Sequence, residues 1–176
     1  VTVALLERGH KGLLQETFHN PLNVGFPNGT LKGHFSVPLD SVIGGQENVG
    51  KGWQMLMECL AAGRGVSLPA TANGASKVST CASLLYAKHR RQFRIPLYKM
   101  QGVNQKLLDN VYHTNLITSS INFTNAILDS GNTPSVISAI MKQRTTELGR
   151  KVINDSMDVM AGSAICLGEN NVLEKY

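Results

Sequence analysis

Along the 176 residues, the spacing of apolar and polar positions changes character near residue 50. Residues 1–50 hold short apolar runs (Val1–Leu6, Leu31–Val37 and Ser41–Ile43) divided by turn signals such as Pro27-Asn28-Gly29 and Gly44-Gly45. Short runs between clusters of Gly, Pro and Asn predict strands joined by turns. From Gly52 onward the apolar positions recur at helical spacing, interrupted at Gly63-Arg64-Gly65, around Pro96 and at Ser130-Gly131-Asn132. That pattern predicts a short helix near 52–61 and long ones near 66–91, 101–129 and 134–160.

Helical phase adds architecture. On 101–129, Val103, Leu107, Val111, Ile117, Ile121 and Leu128 share one face, and Leu108, Tyr112, Leu116, Phe123 and Ile127 share the opposite one. A helix apolar on two sides is expected to be flanked on both. The last long helix opens with Thr133-Pro134, an N-cap followed by proline in the first turn. Its apolar stripe is Val136, Ile140, Met141, Leu148 and Val152, with Glu147 and Lys151 placed as an i,i+4 ion pair. The 66–91 helix is crowded with small residues: Ala70, Ala72, Gly74, Ala75, Ser76, Ser79, Ala82 and Ser83. Such a surface admits the close approach of a neighbouring helix, or of a flat ligand. The expected fold is α+β and mainly α. Residues 1–50 form the tail of an antiparallel β-domain, and 51–176 form an antiparallel helical bundle.

Composition narrows the class. With 42% hydrophobic and 16% charged residues and a net charge of +5, the chain is a core-forming protein rather than a disordered one. No apolar run approaches the roughly 18 residues of a membrane span. Cys59, Cys81 and Cys166 are too few and too scattered for a disulfide framework or a zinc site, and read as buried thiols of a reducing interior. The chain opens Val1-Thr2-Val3 without methionine or a basic leader, as expected of a fragment, so the lack of a targeting signal says little about compartment.

Candidate chemistry is sparse. Gly45-Gln46-Glu47-Asn48-Val49-Gly50-Lys51-Gly52 nearly spells a phosphate-binding P-loop, but Gly52 stands where a hydroxyl must hold Mg²⁺. It reads as a glycine-rich strand-to-helix turn. Lys88, His89, Arg90, Arg91, Arg94 and Lys99 form a basic cluster interleaved with Phe93 and Tyr98. Three readings fit it: a solvated helix end favoured by the dipole, a site for an anionic cofactor or lipid-like phosphate, and a nucleic-acid surface. The five histidines show no metal-ligand spacing, so no metal site is expected. No G-x-S-x-G elbow is present. Glu58 and Asp158 border glycine-marked breaks, as caps, as exposed residues or as a general base.

Several stretches together resemble the acyl-CoA dehydrogenase family. Phe35–Gly44 is similar to the closing strand of its middle β-domain, and Gly50-Lys51-Gly52-Trp53 through Gly63-Arg64-Gly65 to the entry into its C-terminal helical domain. Arg90-Arg91-Gln92-Phe93 and Gln101 resemble the segment joining the first two long helices, and Asp155–Gly162 the run of the third into a Gly-rich loop. The wording of Glu58–Gly65 and Pro134–Ile140 is similar to the long bacterial fatty-acid-degradation branch.

The resemblance implies a flavoenzyme that binds FAD and introduces a double bond between Cα and Cβ of fatty acyl-CoA thioesters. A carboxylate would remove the α-proton while the β-hydrogen leaves as hydride to the flavin. Electrons would pass to an electron-transferring flavoprotein, and the parent would be a homo-oligomer built through these helices. Its compartment would be the bacterial cytoplasm or the mitochondrial matrix. By position, Arg90 and Phe93 match residues that reach the FAD of a neighbouring subunit, and Gln101 a polar position of the same segment. Asp158, Val159 and Gly162 match the loop along the adenosine half, and Arg64 an arginine beside the active site. The basic cluster thereby gains an anionic cofactor as partner in place of nucleic acid. Gly63 stands where some members carry the base glutamate, so the base is expected beyond Tyr176 and the fragment is expected to be inactive. The loop Ala161-Gly162-Ser163-Ala164 has fewer glycines than the family pattern. A rival expectation is a non-catalytic helical module for oligomerisation or partner binding.

Overall fold

The computed structural model describes residues 1–21, 23, 25–132 and 134–174, with backbone only at 61 and 62. The chain divides into two compact units, Val1–Leu56 and Met57–Tyr176. In the first, the strand expected at Val1–Leu6 makes a single ladder step. Ala4 bridges Val42, flanked by the Leu5 N–H donating to the Ser41 carbonyl at 2.9 Å and the Ile43 N–H to the Val3 carbonyl at 3.0 Å. Regular pairing lies elsewhere, between β1 (Leu13–Thr17) and β2 (Thr30–Gly33), antiparallel with an irregular register between Gln15 and Thr17. The apolar pattern does not predict β1, because three of its five residues are polar or charged, Gln15 and Thr17 on one side of the alternation and Glu16 on the other. The run expected to continue to Val37 stops at Gly33, whose φ of +147° leaves the strand region.

The glycine-rich stretch is a turn. Gln46–Asn48 makes one 3₁₀ turn, Gly50 takes φ +88°, and α1 (Gly52–His89) follows. The Gly50 N–H donates to the Thr2 hydroxyl at 3.0 Å and the Gly52 N–H to the Val1 carbonyl at 2.9 Å. These amides are thus engaged rather than presented to a phosphate.

The second unit holds three long helices. α1 runs unbroken for 38 residues through Gly63-Arg64-Gly65, where the sequence predicts an interruption. A glycine weakens a helix by about 1 kcal/mol without ending it, and here tertiary packing overrides that cost. A Cβ added at Gly65 would stand 2.5 Å from Ser138 Oγ, so the glycine marks a helix–helix contact. A tight hairpin of β3 (Arg91–Gln92) and β4 (Ile95–Pro96) and a 3₁₀ turn at Leu97–Lys99 lead into α2 (Gln101–Asp129). A turn with Gly131 at φ +84° then leads to α3 (Ser135–Met160). The N-cap expected at Thr133 lies outside the described residues.

The helices run up, down and up. α2 lies antiparallel to α1, with Thr118 Oγ1 donating to Asn73 Oδ1 at 2.8 Å and a Thr80–Thr114 hydroxyl pair at 2.8 Å. α3 runs parallel to α1: Gly65 faces Ser138, Gly149 faces Ala72 and Ser76, and Ser156 donates to the Ser79 carbonyl at 3.1 Å. Ala72, Ser76, Ser79 and Ser83 of α1 therefore serve helix approach, whereas Ala70 and Gly74 are exposed. Larger apolar groups fill what remains, Ile117 and Ile121 against Met141, and Ala87 and Leu107 against Val159.

Burial departs from the apolar pattern in three places. The inward line of α3 is Ser138, Met141, Thr145, Gly149, Val152, Ser156 and Val159, while Val136 and Ile140 face out. Close packing selects small side chains there over large apolar ones. On α2 Leu107, Ile117 and Ile121 are buried, Val103 and Leu128 half-buried and Val111 exposed, but Leu108, Tyr112, Leu116 and Phe123 opposite are exposed, so one chain flanks α2 on one side only. Cys59, Cys81 and Cys166 are exposed rather than buried, because each falls outside these packed lines. Among the described residues no helix is long and apolar enough to cross a membrane.

Gly65→Ala is expected to lower stability by about 1–3 kcal/mol through overpacking against Ser138. Gly74→Ala, where an added Cβ meets nothing within 4 Å, is expected to raise it by about 1 kcal/mol. Urea denaturation midpoints of the two variants check the contrast.

Candidate functional site

The ends of α1 and α3 stand side by side because the contacts between these helices continue to their last turns. Ser156 donates to the Ser79 carbonyl and lies 3.4 Å from the Ser83 hydroxyl, while Asn110 of α2 donates to Ser156 Oγ at 3.0 Å. Beyond this clasp a cleft of about 520 Å³ opens. α1 supplies Tyr86, the residue just past its end is Arg90, β3 supplies Gln92, and α3 with its trailing turn supplies Asp158, Val159, Ala161, Gly162 and Ser163. Leu97 and Val103 complete the wall and pack on the buried Ala87, Leu107 and Val159. The floor is thus core and the rim is polar.

Of the residues singled out from sequence, Arg90, Asp158, Val159 and Gly162 meet here. Phe93 does not line the cleft. It is 89% exposed at the tip of the hairpin, where Phe93 at φ +50° and Arg94 at φ +70° form the turn. Positive φ at both central residues is the type I′ geometry that Asn-Gly normally fills. The turn is held by Arg91 Nη2 donating to the Arg94 carbonyl at 3.2 Å and by the Leu97 N–H donating to the Arg90 carbonyl at 3.0 Å. Gln101 is the exposed first residue of α2 and does not line the cleft. Arg64 is exposed on α1, 26 positions before Arg90, which is about 40 Å along a helix axis.

Sequence reasoning missed Tyr86, Gln92 and Ser163, whose types carry no signal until the chain ends are brought together. It also missed Lys106. This α2 lysine lies 2.7 Å from Asp155 Oδ1 and 2.8 Å from Asp158 Oδ2. Lys151 turns to Asp155 Oδ2 at 2.6 Å instead of to Glu147. Asp158 is therefore an ion-paired rim residue, neither a cap nor a bare surface carboxylate.

Burial pushes the Asp155 carboxyl up, but the hydrogen bonds and charges of Lys106 and Lys151 outweigh it and hold the group below its ordinary value. Lys106 is raised in turn by its hydrogen bonds to Asp155 and Asp158. The lowered carboxyl stabilises the fold fully above its unfolded-state pKa, about 4, and that contribution is lost as pH falls through the folded-state value. The raised ammonium acts oppositely, contributing below its unfolded-state value and losing effect as pH rises through the folded one.

The turn after α3 is strained. Ala161 sits at φ +50°, ψ −128°, a region open to glycine and costly for a residue with a Cβ. Gly162 beside it is the reverse, since a Cβ there would meet nothing within 4 Å. A second, larger groove of about 750 Å³ runs between α1 and α3 on another side, with Leu68, Ala75, Ile153, Met157 and Leu173 among its apolar lining. It contains none of the candidate residues.

Comparison with known proteins adds the family dimension. Residues 50–176 match the family model described as acyl-CoA dehydrogenase, C-terminal domain. The chain is 43% identical over 84 residues to protein HemX of Proteus mirabilis, covering 47% of this chain and 49% of that protein. It is 25% identical over 126 residues to the short-chain-specific acyl-CoA dehydrogenase of Megasphaera elsdenii, covering 72% of this chain and 32% of that one. The solved acyl-CoA dehydrogenase of Geobacillus kaustophilus shares the fold at a TM-score of 0.80 and 20% identity, over 99% of this chain and 44% of that chain. The chain thus spans half or less of the length of these relatives.

Two variants test the site's physics. Asp155→Asn is expected to lower the melting temperature at neutral pH and to flatten its decline on acidification towards about pH 3, followed by thermal melts across pH. Ala161→Gly is expected to raise stability by about 0.5–1 kcal/mol by releasing the positive-φ strain, measured by denaturant unfolding.

Proposed function

The chain belongs to the acyl-CoA dehydrogenase family, and from that premise we propose that it forms the helical domain of an FAD-dependent enzyme that α,β-dehydrogenates fatty acyl-CoA thioesters. One observation carries the reading: Arg90 lines a single cleft with Asp158, Val159 and Gly162, which follow it by some seventy positions. The donor set fits a dinucleotide. A guanidinium gives charge-assisted, bidentate hydrogen bonds to a pyrophosphate, and the carboxylate and hydroxyl of Asp158 and Ser163 suit ribose hydroxyls. The open space at Gly162 admits close approach of a flat or anionic group to the backbone.

When bound, the flavin supplies hydride acceptance; the chain's own residues bind and orient. Arg90 holds phosphate charge at the rim. Val159, buried on Ala87 and Leu107, fixes the floor. Phe93 projects away from its own chain and is suited to meet the cofactor of a neighbouring subunit, with Gln101 in the same segment. Arg64, in the N-terminal half of α1, serves the substrate end. The base carboxylate lies outside these 176 residues in this proposal, and electrons leave to an electron-transferring flavoprotein. The exposed face of α2 at Leu108, Tyr112, Leu116 and Phe123 supports a homo-oligomer. The same face favours the second reading, a non-catalytic module used for assembly alone.

The full-length protein is expected to show flavin absorbance that bleaches on addition of a fatty acyl-CoA. A colourless, folded oligomer inert to acyl-CoA supports the assembly module instead. Arg90→Ala is expected to raise the Kd for FAD about tenfold. Gly162→Val is expected to weaken FAD comparably while leaving the melting temperature of the apoprotein unchanged, since the added side chain enters open space.

A further inference from the structure

We propose that Lys106 is a positioning residue of this cleft, which neutralises and orients Asp158 so that a carboxylate can stand beside a bound phosphate anion. The inference rests on the flavin reading above and adds a residue outside the cleft lining.

The four charges of the cluster balance. Lys106 bonds both Asp155 and Asp158, and Lys151 bonds Asp155. Asp155 is buried and has each oxygen taken, Oδ1 by Lys106 and Oδ2 by Lys151. Asp158 differs. Its side chain is 65% exposed, its Oδ2 accepts from Lys106, and its Oδ1 makes no hydrogen bond among the described residues. One oxygen is thus anchored from α2, and the other remains an acceptor at the rim that Arg90 shares.

Charge decides the consequence. With the cluster neutral, Arg90 remains the uncompensated cation of the cleft. Without Lys106, two carboxylates face one lysine, and the extra negative charge offsets Arg90. A phosphate entering the cleft then meets repulsion, and Asp158 loses the contact that fixes its rotamer. The anchored carboxylate, by contrast, accepts from neutral hydroxyls such as those of a ribose.

The test uses the full-length apoprotein and FAD binding read by flavin fluorescence, with thermal melts in parallel. Lys106→Met is expected to raise the Kd for FAD about tenfold, with a smaller effect at high salt as screening grows. Lys106→Arg is expected to stay within about threefold of the parent, because it keeps the charge. Lys151→Met takes the same charge from the cluster but leaves Asp158 anchored, so it is expected to alter the melt and to raise the Kd less than Lys106→Met does. The double variant Lys106→Met with Asp158→Asn is expected to recover part of the affinity, because the repelling charge is gone while the anchored ribose acceptor is not restored. A double variant that binds no tighter than Lys106→Met, or a Lys106→Met Kd equal to that of the parent, overturns the inference while leaving the flavin reading intact. A parent that binds no FAD overturns both.

Discussion

Close approach of three helices through glycines and side chains of no more than four heavy atoms is the constraint on which the helical unit depends. Gly65 against Ser138, Gly149 against Ala72 and Ser76, and Ser156 between Ser79 and Ser83 leave no room for larger groups along the α1–α3 seam. The Ser76 and Thr145 hydroxyls donate to backbone carbonyls one turn back, on Ala72 and Met141, while the buried Ser79 and Ser138 hydroxyls make no hydrogen bond among the described residues. The seam is therefore polar in composition yet closed to water. It keeps α1 and α3 in parallel to their last turns, which is what brings Arg90 within one cleft of Asp158 and Gly162.

That constraint explains what was legible from sequence and what was not. α2 and α3 follow the apolar periodicity to within a residue of their ends, since long amphipathic runs with clear breaks carry strong local information. The break placed at Gly63-Arg64-Gly65 is wrong for a physical reason: a glycine signals both a helix end and a contact between helices, and only the partner, here Ser138, distinguishes them. The same ambiguity hides the inward line of α3, where Ser, Thr and Gly occupy core positions and Val136 and Ile140 do not.

The candidate site was half legible. Arg90, Asp158, Val159 and Gly162 carry a family pattern in their local wording, and the fold gathers them. Lys106 carries none, because its meaning arises from two aspartates on another helix about fifty positions away, at 2.7 and 2.8 Å. Phe93 and Arg94 were legible as composition but not as geometry. Nothing in their side chains announces a two-residue turn at positive φ.

The small-residue seam has a thermal consequence. The heat capacity gained on unfolding grows with newly exposed apolar surface and shrinks with polar surface. A unit whose fully buried positions are largely Ser, Thr, Asn and Gly-contact sites, with Ile117 and Val152 as the large exceptions, gains little of it as a single chain. Its stability curve is correspondingly shallow, changing slowly on both heating and cooling. A partner surface covering the outward apolar face of α2 would add apolar burial and, with it, curvature in temperature.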